Sequence, residues 1–167
     1  MNALALATIN DNPVSDTILI EIVPTTAAHI RELQRTIREA DKAEVEAYGF
    51  SSAKGLWRSY KQGLGNQTAL FDGKVAAVWG CAGTYMGTIG QPWLLTSYEI
   101  ETISPLLFAR LYQKEVFKML KLFPVLVNYV ADDYEKAIRL LSIIGFTIGE
   151  PEKIGQGMYR KFEMRAK

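Results

Sequence analysis

Ser104-Pro105 and Pro124 bracket the stretch that most constrains this chain. Between them Phe108, Leu111, Tyr112, Val116, Met119 and Phe123 recur at helical spacing. Arg110, Lys114, Lys118 and Lys121 fall on the other side, a positive stripe interrupted by Glu115 and read as a solvated face. Ser104 suits an N-cap. Pro105 suits the first helical position, where the missing N–H would have no intrahelical partner anyway. Pro124 stops the helix. Pro92 to Ser97 before it and Val125 to Val130 after it read as strands, the second almost wholly apolar, as for a strand buried on both faces. Strand, long helix, strand predicts a parallel pair with a right-handed crossover, and so a sheet covered by helices.

The remaining elements follow from caps and turns. Thr17 to Val23 is β-branched, apolar and ended by Pro24, a strand. Thr25 or Thr26 then caps a helix with Ile30, Leu33 and Ile37 at helical spacing. Asp41 caps a second helix from about Lys42, with Val45 and Tyr48 inward and Gly49 at its end. A third spans roughly Ser52 to Gln62, with Leu56, Trp57 and Tyr60 on one side. Gln67 to Phe71 and Lys74 to Trp79 form a hairpin around Asp72-Gly73, a pair suited to the positive φ angles of a type I′ turn. Gly80 to Gly90, with Thr84, Tyr85 and Met86, reads as a loop, lid-like or partner-binding. Asp132 or Asp133 caps a short helix closed by Gly145 at C′. Phe146 to Gly149 and Met158 to Met164 are the last strands. Residues 1–16 carry no clear period and read as a flexible N-terminal arm; residues 17–167 form one domain.

Composition removes several classes of function. The net charge is +1, so no bulk signal for nucleic acid or for a membrane surface exists. No apolar run approaches the ~18 residues of a membrane span. A single Cys and a single His exclude a disulfide framework and leave no metal site of the usual ligands. Cys81, far in sequence from His29, reads as a buried hydrophobe rather than a nucleophile, and His29 as an exposed residue near a helix start. Trp79 and Trp93 read as core. The plain expectation is a soluble protein of a reducing cytoplasm.

Ala137-Ile138-Arg139-Leu140-Leu141-Ser142-Ile143-Ile144-Gly145-Phe146 resembles the closing A-I-x-x-L/Y-x-x-x-G-F segment of GNAT proteins, the acyl-CoA N-acyltransferase superfamily. The order of strands and helices is also that of the superfamily. With Pro92-Trp93-Leu94-Leu95, Asn128-Tyr129-Val130 and the Met158 to Met164 tail, the chain is similar to GNAT-like proteins of tailed bacteriophages, a group that includes the small internal virion protein of short-tailed coliphages. The likeness covers roughly residues 17 to 164. It implies an α/β (α+β) GNAT-like single domain, with a mixed central sheet of six or seven strands covered by four or five helices.

The resemblance also implies where chemistry would sit. Active members hold the pyrophosphate of acetyl-CoA on a Gln/Arg-x-x-Gly-x-Gly/Ala loop between the fourth strand and the long helix, where backbone N–H groups and the helix dipole favour an anion. Here that connection is Tyr98-Glu99-Ile100-Glu101-Thr102-Ile103-Ser104-Pro105. It has no glycine, two carboxylates stand in it, and Pro105 lacks a donor. If the chain is active, Thr102, Ser104 and the N–H groups of Leu106 and Leu107 are the candidates for cofactor contact. Glu99 and Glu101 are candidate bases, because a catalytic Glu often follows the fourth strand in the superfamily. The tyrosine that often serves as general acid matches Leu141, which has no proton to give; Ser142 and Tyr134 are the candidate substitutes. The leading expectation is a phage-encoded GNAT-like protein with a degenerate acetyl-CoA site and no cofactor. It would be non-enzymatic, in the host cytoplasm or the virion, with other virion or host proteins as partners. The alternatives are an active N-acetyltransferase on a host protein or small amine, and a host-directed binding or inhibitor protein.

Overall fold

The computed structural model describes residues 4–8, 17–47, 49–83 and 87–166. They fall into two compact units, residues 1–80 with 94–104 and residues 81–93 with 105–167.

In the first unit, β1 (Leu4–Thr8) pairs antiparallel with β2 (Thr17–Pro24), from Leu4 opposite Glu21 to Thr8 opposite Thr17. The sequence gives these N-terminal residues to an arm; within the described residues Leu4–Thr8 is a strand, because the free edge of β2 offers a full row of partners to any extended segment. β2 pairs antiparallel with β3 (Gly63–Phe71), Ile20 lying opposite Phe71. Asp72 (φ 47) and Gly73 (φ 79) turn the chain into β4 (Lys74–Ala82), both in the left-handed region that the Asp-Gly pair predicts. Three helices lie between β2 and β3: α1 (Ala27–Thr36), α2 (Glu39–Ala47) and α3 (Ser52–Gln62). Ile20, Ile30, Leu33, Leu56, Phe71, Val75, Val78 and Trp79 make the buried core. Tyr48 lies outside the described residues.

Two residues of this unit differ from expectation. Asp41 does not cap α2 but sits inside it, buried, accepting from Thr96 Oγ1 at 2.5 Å and Arg38 Nε at 3.1 Å. A buried carboxylate needs such donors, and they outweigh a cap. His29 is not merely exposed. It is the N3 residue of a capping box, its Nδ1 accepting from the Thr26 N–H at 3.2 Å while the His29 N–H donates to Thr26 Oγ1 at 3.3 Å.

In the second unit the strand order is β5-β6-β8-β7. β5 (Ile89–Thr96) starts parallel to β6 (Val125–Ala131), joined through α4 (Pro105–Leu122), as the sequence predicts. β8 (Gly157–Arg165) runs antiparallel to β6 and to β7 (Thr147–Ile154). The β7–β8 register shifts between Ile148 and Pro151, where a proline cannot donate to a ladder. α5 (Glu135–Ile144) ends at Gly145, φ 111, in the predicted left-handed cap. Its N-cap is Tyr134, not Asp132 or Asp133. Asp132 is held instead by Arg160, Nε to Oδ1 2.5 Å, across neighbouring strands.

Phe108, Tyr112, Val116, Met119, Phe123, Leu126, Ile144, Phe146 and Phe162 fill the core of this unit, the Phe146 and Phe162 rings meeting edge to face at 5.0 Å. β6 buries only Leu126 and Val130 fully, so it is less enclosed than its apolar run predicts. Glu115 is buried on α4 beside Lys118, 2.6 Å away, rather than standing on the solvated stripe. The glycine-rich stretch is also less of a loop than expected: β4 continues to Ala82 and β5 begins at Ile89. A Cβ on Gly83 would come within 2.8 Å of the Phe123 ring, and one on Gly90 within 2.7 Å. These two glycines are small because Phe123 fills their space. Thr84, Tyr85 and Met86, the centre of the expected lid, lie outside the described residues.

Candidate functional site

The connection before the long helix is ordered. Tyr98–Thr102 is a 3-10 helix, where the sequence predicts a loop. Ser97 is its N-cap, accepting from the Glu99 N–H at 3.2 Å while its own hydroxyl donates to Val75 O at 2.6 Å. Glu99 faces Lys74, Oε1 to Nζ 3.5 Å, and Glu101 faces Arg38, Oε1 to Nη1 3.8 Å. Both carboxylates are therefore engaged with cations of the first unit. Thr102 Oγ1 donates to the Glu99 carbonyl at 2.7 Å, which closes the turn on itself. Ile103 is buried at 5%. Ser104 and Leu107 each have a partner within the protein. Leu106 is an exposed apolar residue.

The second unit carries the other candidates. Ser142 lies on α5 with its hydroxyl donating to Ile138 O at 2.9 Å, the back-bond a helical serine makes when nothing else claims it. Tyr134 begins the same helix, with no side-chain bond to the cap. Two turns of helix separate the two, roughly 12 Å along the axis, so they do not meet as one acid site. Leu141 stands where the general acid is expected.

A feature with no role assigned from the sequence lies between β5 and β6. Their ladder consists of Ile89 opposite Val125 and Gly90 opposite Leu126. Beyond it the gap is spanned by a side chain: Asn128 Nδ2 donates to the Pro92 carbonyl at 2.9 Å, while Asn128 Oδ1 accepts from the Tyr129 N–H at 2.9 Å. The strands thus part after two residue pairs, and an amide replaces the missing ladder bonds. In the same stretch of β5 the Trp93 indole N–H is buried with no partner among the described residues. One asparagine inside an apolar strand is the sequence signal for Asn128, since a polar group there must find partners.

Cys81 is fully buried, and burial pushes its thiol up to about 12, so it has no nucleophilic character near neutral pH. Burial also raises Tyr112, assisted by the nearby Cys81 and Glu115. A groove of about 1050 Å³ in the second unit, lined by Phe117, Leu120, Ile144, Lys161 and Met164 among others, contains none of the candidate residues. No helix is long and apolar enough to cross a membrane among the described residues.

No protein-family model and no curated protein sequence matches the chain. Solved structures do. The GNAT domain of S. lividans PAT aligns at TM-score 0.67 and 13% identity, over 98% of this chain and 97% of that one. The microcin C7 self-immunity acetyltransferase MccE, in complex with acetyl-CoA and AMP, aligns at 0.63 and 11%, over 88% and 92%. A GNAT-family acetyltransferase from Streptococcus pneumoniae aligns at 0.57 and 12%, over 88% and 99%. Identities this low carry the fold and nothing finer. With the strands β2 to β8, the five α-helices and the parallel β5–β6 pair around α4, they show that the chain has the α/β fold of the GNAT acetyltransferases.

Proposed function

We propose that this is a GNAT-fold protein that no longer transfers acetyl groups and acts as a binding protein in a tailed phage, in the virion or its assembly. The observation that carries the first half is the connection from β5 into α4. A diphosphate needs close backbone approach and unpaired N–H groups at the helix start. This connection has no glycine and begins α4 with Pro105, which has no N–H to give. Its two carboxylates face Lys74 and Arg38, and Arg38 also serves Asp41, which leaves no surplus positive charge for an anion. The residues present do not fit acetyl-CoA, and no catalytic step is derived through it. The acid and base positions agree with this: Leu141 cannot donate, Ser142 is bonded within its helix, and Glu99 and Glu101 are ion-paired.

The phage assignment is supported by the likeness of residues 137–146 and of the short strand motifs to phage GNAT-like proteins. Isothermal titration with acetyl-CoA tests the first half. Heat of binding tighter than about 100 μM, near −5.5 kcal/mol, overturns it. Mass spectrometry of purified particles tests the second: absence of the protein from the virion and from assembly intermediates overturns it.

One observation favours the rival reading, an active N-acetyltransferase. β5 and β6 part early, and a pantetheine arm needs such a gap between strands. Acetyl-CoA bound there would protect the amide protons of β6 from exchange. Under the leading reading the amides exchange identically with and without the cofactor.

A further inference from the structure

Two helices of the first unit gather unbalanced positive charge around aromatic rings. Arg31 and Arg35 lie one turn apart on α1. Lys54, Arg58 and Lys61 lie at i, i+4 and i+7 on α3. All five side chains belong to exposed residues. Each like-charged pair at this spacing opposes helix formation. Among the described residues, none of these five cations has a carboxylate partner, whereas Arg38, Lys42, Lys74, Lys118, Arg160, Lys161 and Arg165 all do.

Three of the five, Arg31, Lys54 and Arg58, rest on aromatic rings instead. The Arg31 guanidinium lies 5.9 Å from the Trp57 ring centre, and Phe50 holds Arg58 at 4.9 Å and Lys54 at 5.6 Å. Trp57 meets Tyr60 edge to face at 6.0 Å, and its indole N–H donates to Gln34 of α1 at 3.3 Å. The Arg31–Trp57 contact thus joins α1 to α3, the Trp57 ring is held by Gln34, and Arg35 and Lys61 extend the two rows of cations at helical spacing. A ring contact preserves the cation's charge for an outside partner, where a carboxylate would cancel it.

We propose that this surface binds single-stranded nucleic acid through its phosphate backbone, independently of sequence. Lys54 to Lys61 covers roughly 10 Å of helix axis, about the span of three phosphates at 3.4 Å per nucleotide. Arg31 and Arg35 extend the contact onto the neighbouring helix. Trp57 and Tyr60 present partly exposed rings among the cations, and base stacking on such rings is sequence-tolerant. An acidic protein surface would meet the charge but would have no use for the rings. The inference does not depend on the fate of the acetyl-CoA site.

The test is fluorescence anisotropy of a labelled 20-nucleotide oligothymidylate with the full chain, titrated at several salt concentrations. Binding is expected to weaken with salt at a log–log slope of about −3 to −4, the value for five phosphates on a single strand. Lys54→Glu with Arg58→Glu is expected to reduce affinity at least tenfold. Arg35→Glu with Lys61→Glu removes two cations that hold no ring, so it tests charge without disturbing the aromatic cluster; it is expected to do the same. Lys114→Glu on the basic side of α4 is expected to change nothing. The proposal fails if the oligonucleotide does not bind at 50 mM salt, if the slope is near zero, or if the two double variants bind like the parent. It fails equally if a 20-base-pair duplex or polyglutamate binds more tightly than the single strand.

Discussion

At the scale of single residues, the structure assigns glycines and polar groups to packing duties that look like something else in the sequence. Gly90 sits in a stretch rich in glycine, and the natural inference is a mobile loop. It instead faces Phe123 and Cys81 so closely that a methyl group has no room. Gly90→Ala should therefore destabilise the protein by about 1–3 kcal/mol, the cost of overpacking a dense core, read as a lower denaturant midpoint at unchanged slope. Gly73→Ala offers the contrast: nothing lies near its Cβ, and its φ of 79 makes any loss one of backbone strain alone. His29, Asp41 and Asp132 carry the same lesson. Each is near a helix start in sequence, yet only His29 takes part in a cap, because the two aspartates are claimed by Thr96 and Arg160, which arrive through folding.

At the scale of elements, the opening between β5 and β6 is the feature on which the rival readings of function turn. A parallel ladder that stops after two pairs leaves backbone groups to be satisfied, and Asn128 supplies an acceptor and a donor from one side chain. Asn128→Ala removes both bonds and is expected to cost about 1–3 kcal/mol. Hydrogen exchange of the Tyr129 amide should quicken far more than that of the β7–β8 amides. Asn128→Asp separates the two roles: it keeps the acceptor for Tyr129 and loses the donor to Pro92, and the Tyr129 amide should stay protected. The elements themselves were largely readable. The bounds of α3, the Asp72-Gly73 turn and the Gly145 cap depend on local dihedral preferences, which neighbours in sequence decide. β1 was not readable, since Leu-Ala-Leu-Ala-Thr has little preference of its own and becomes a strand only against the edge of β2.

At the scale of the whole molecule, charge and protonation matter more than any single contact. The net charge of +1 conceals the cluster on α1 and α3, because a sum over the chain cannot register which cations share a surface. Buried acids give the stability a defined alkaline limit. The Cys81 thiol, at 9.0 when exposed, is raised to about 12 by burial in the folded chain, and Tyr112 is raised as well. The unfolded chain therefore releases these protons first as pH rises. The stabilisation is complete below about pH 9 and is progressively lost toward pH 12. The melting temperature should be flat from pH 7 to 8.5 and fall above pH 9, and Cys81→Ala should reduce that fall. A disulfide reagent at pH 8 should leave Cys81 untouched in the native protein and label it fully in denaturant.

The sequence by itself determined the order of β2 to β8 and of the α-helices among them, the Asp72-Gly73 turn, the Gly145 cap, and the lack of glycine in the connection into the long helix. All of these follow from preferences within a few residues of chain and from which side chains are present. Tertiary structure alone decided that Gly90 packs on a ring and that Glu99 and Glu101 are held by Lys74 and Arg38. It also decided that the β5–β6 ladder stops at Gly90, and that Arg31 of α1 meets Trp57 of α3. These depend on groups distant in sequence meeting in space, and local preference carries no information about such meetings.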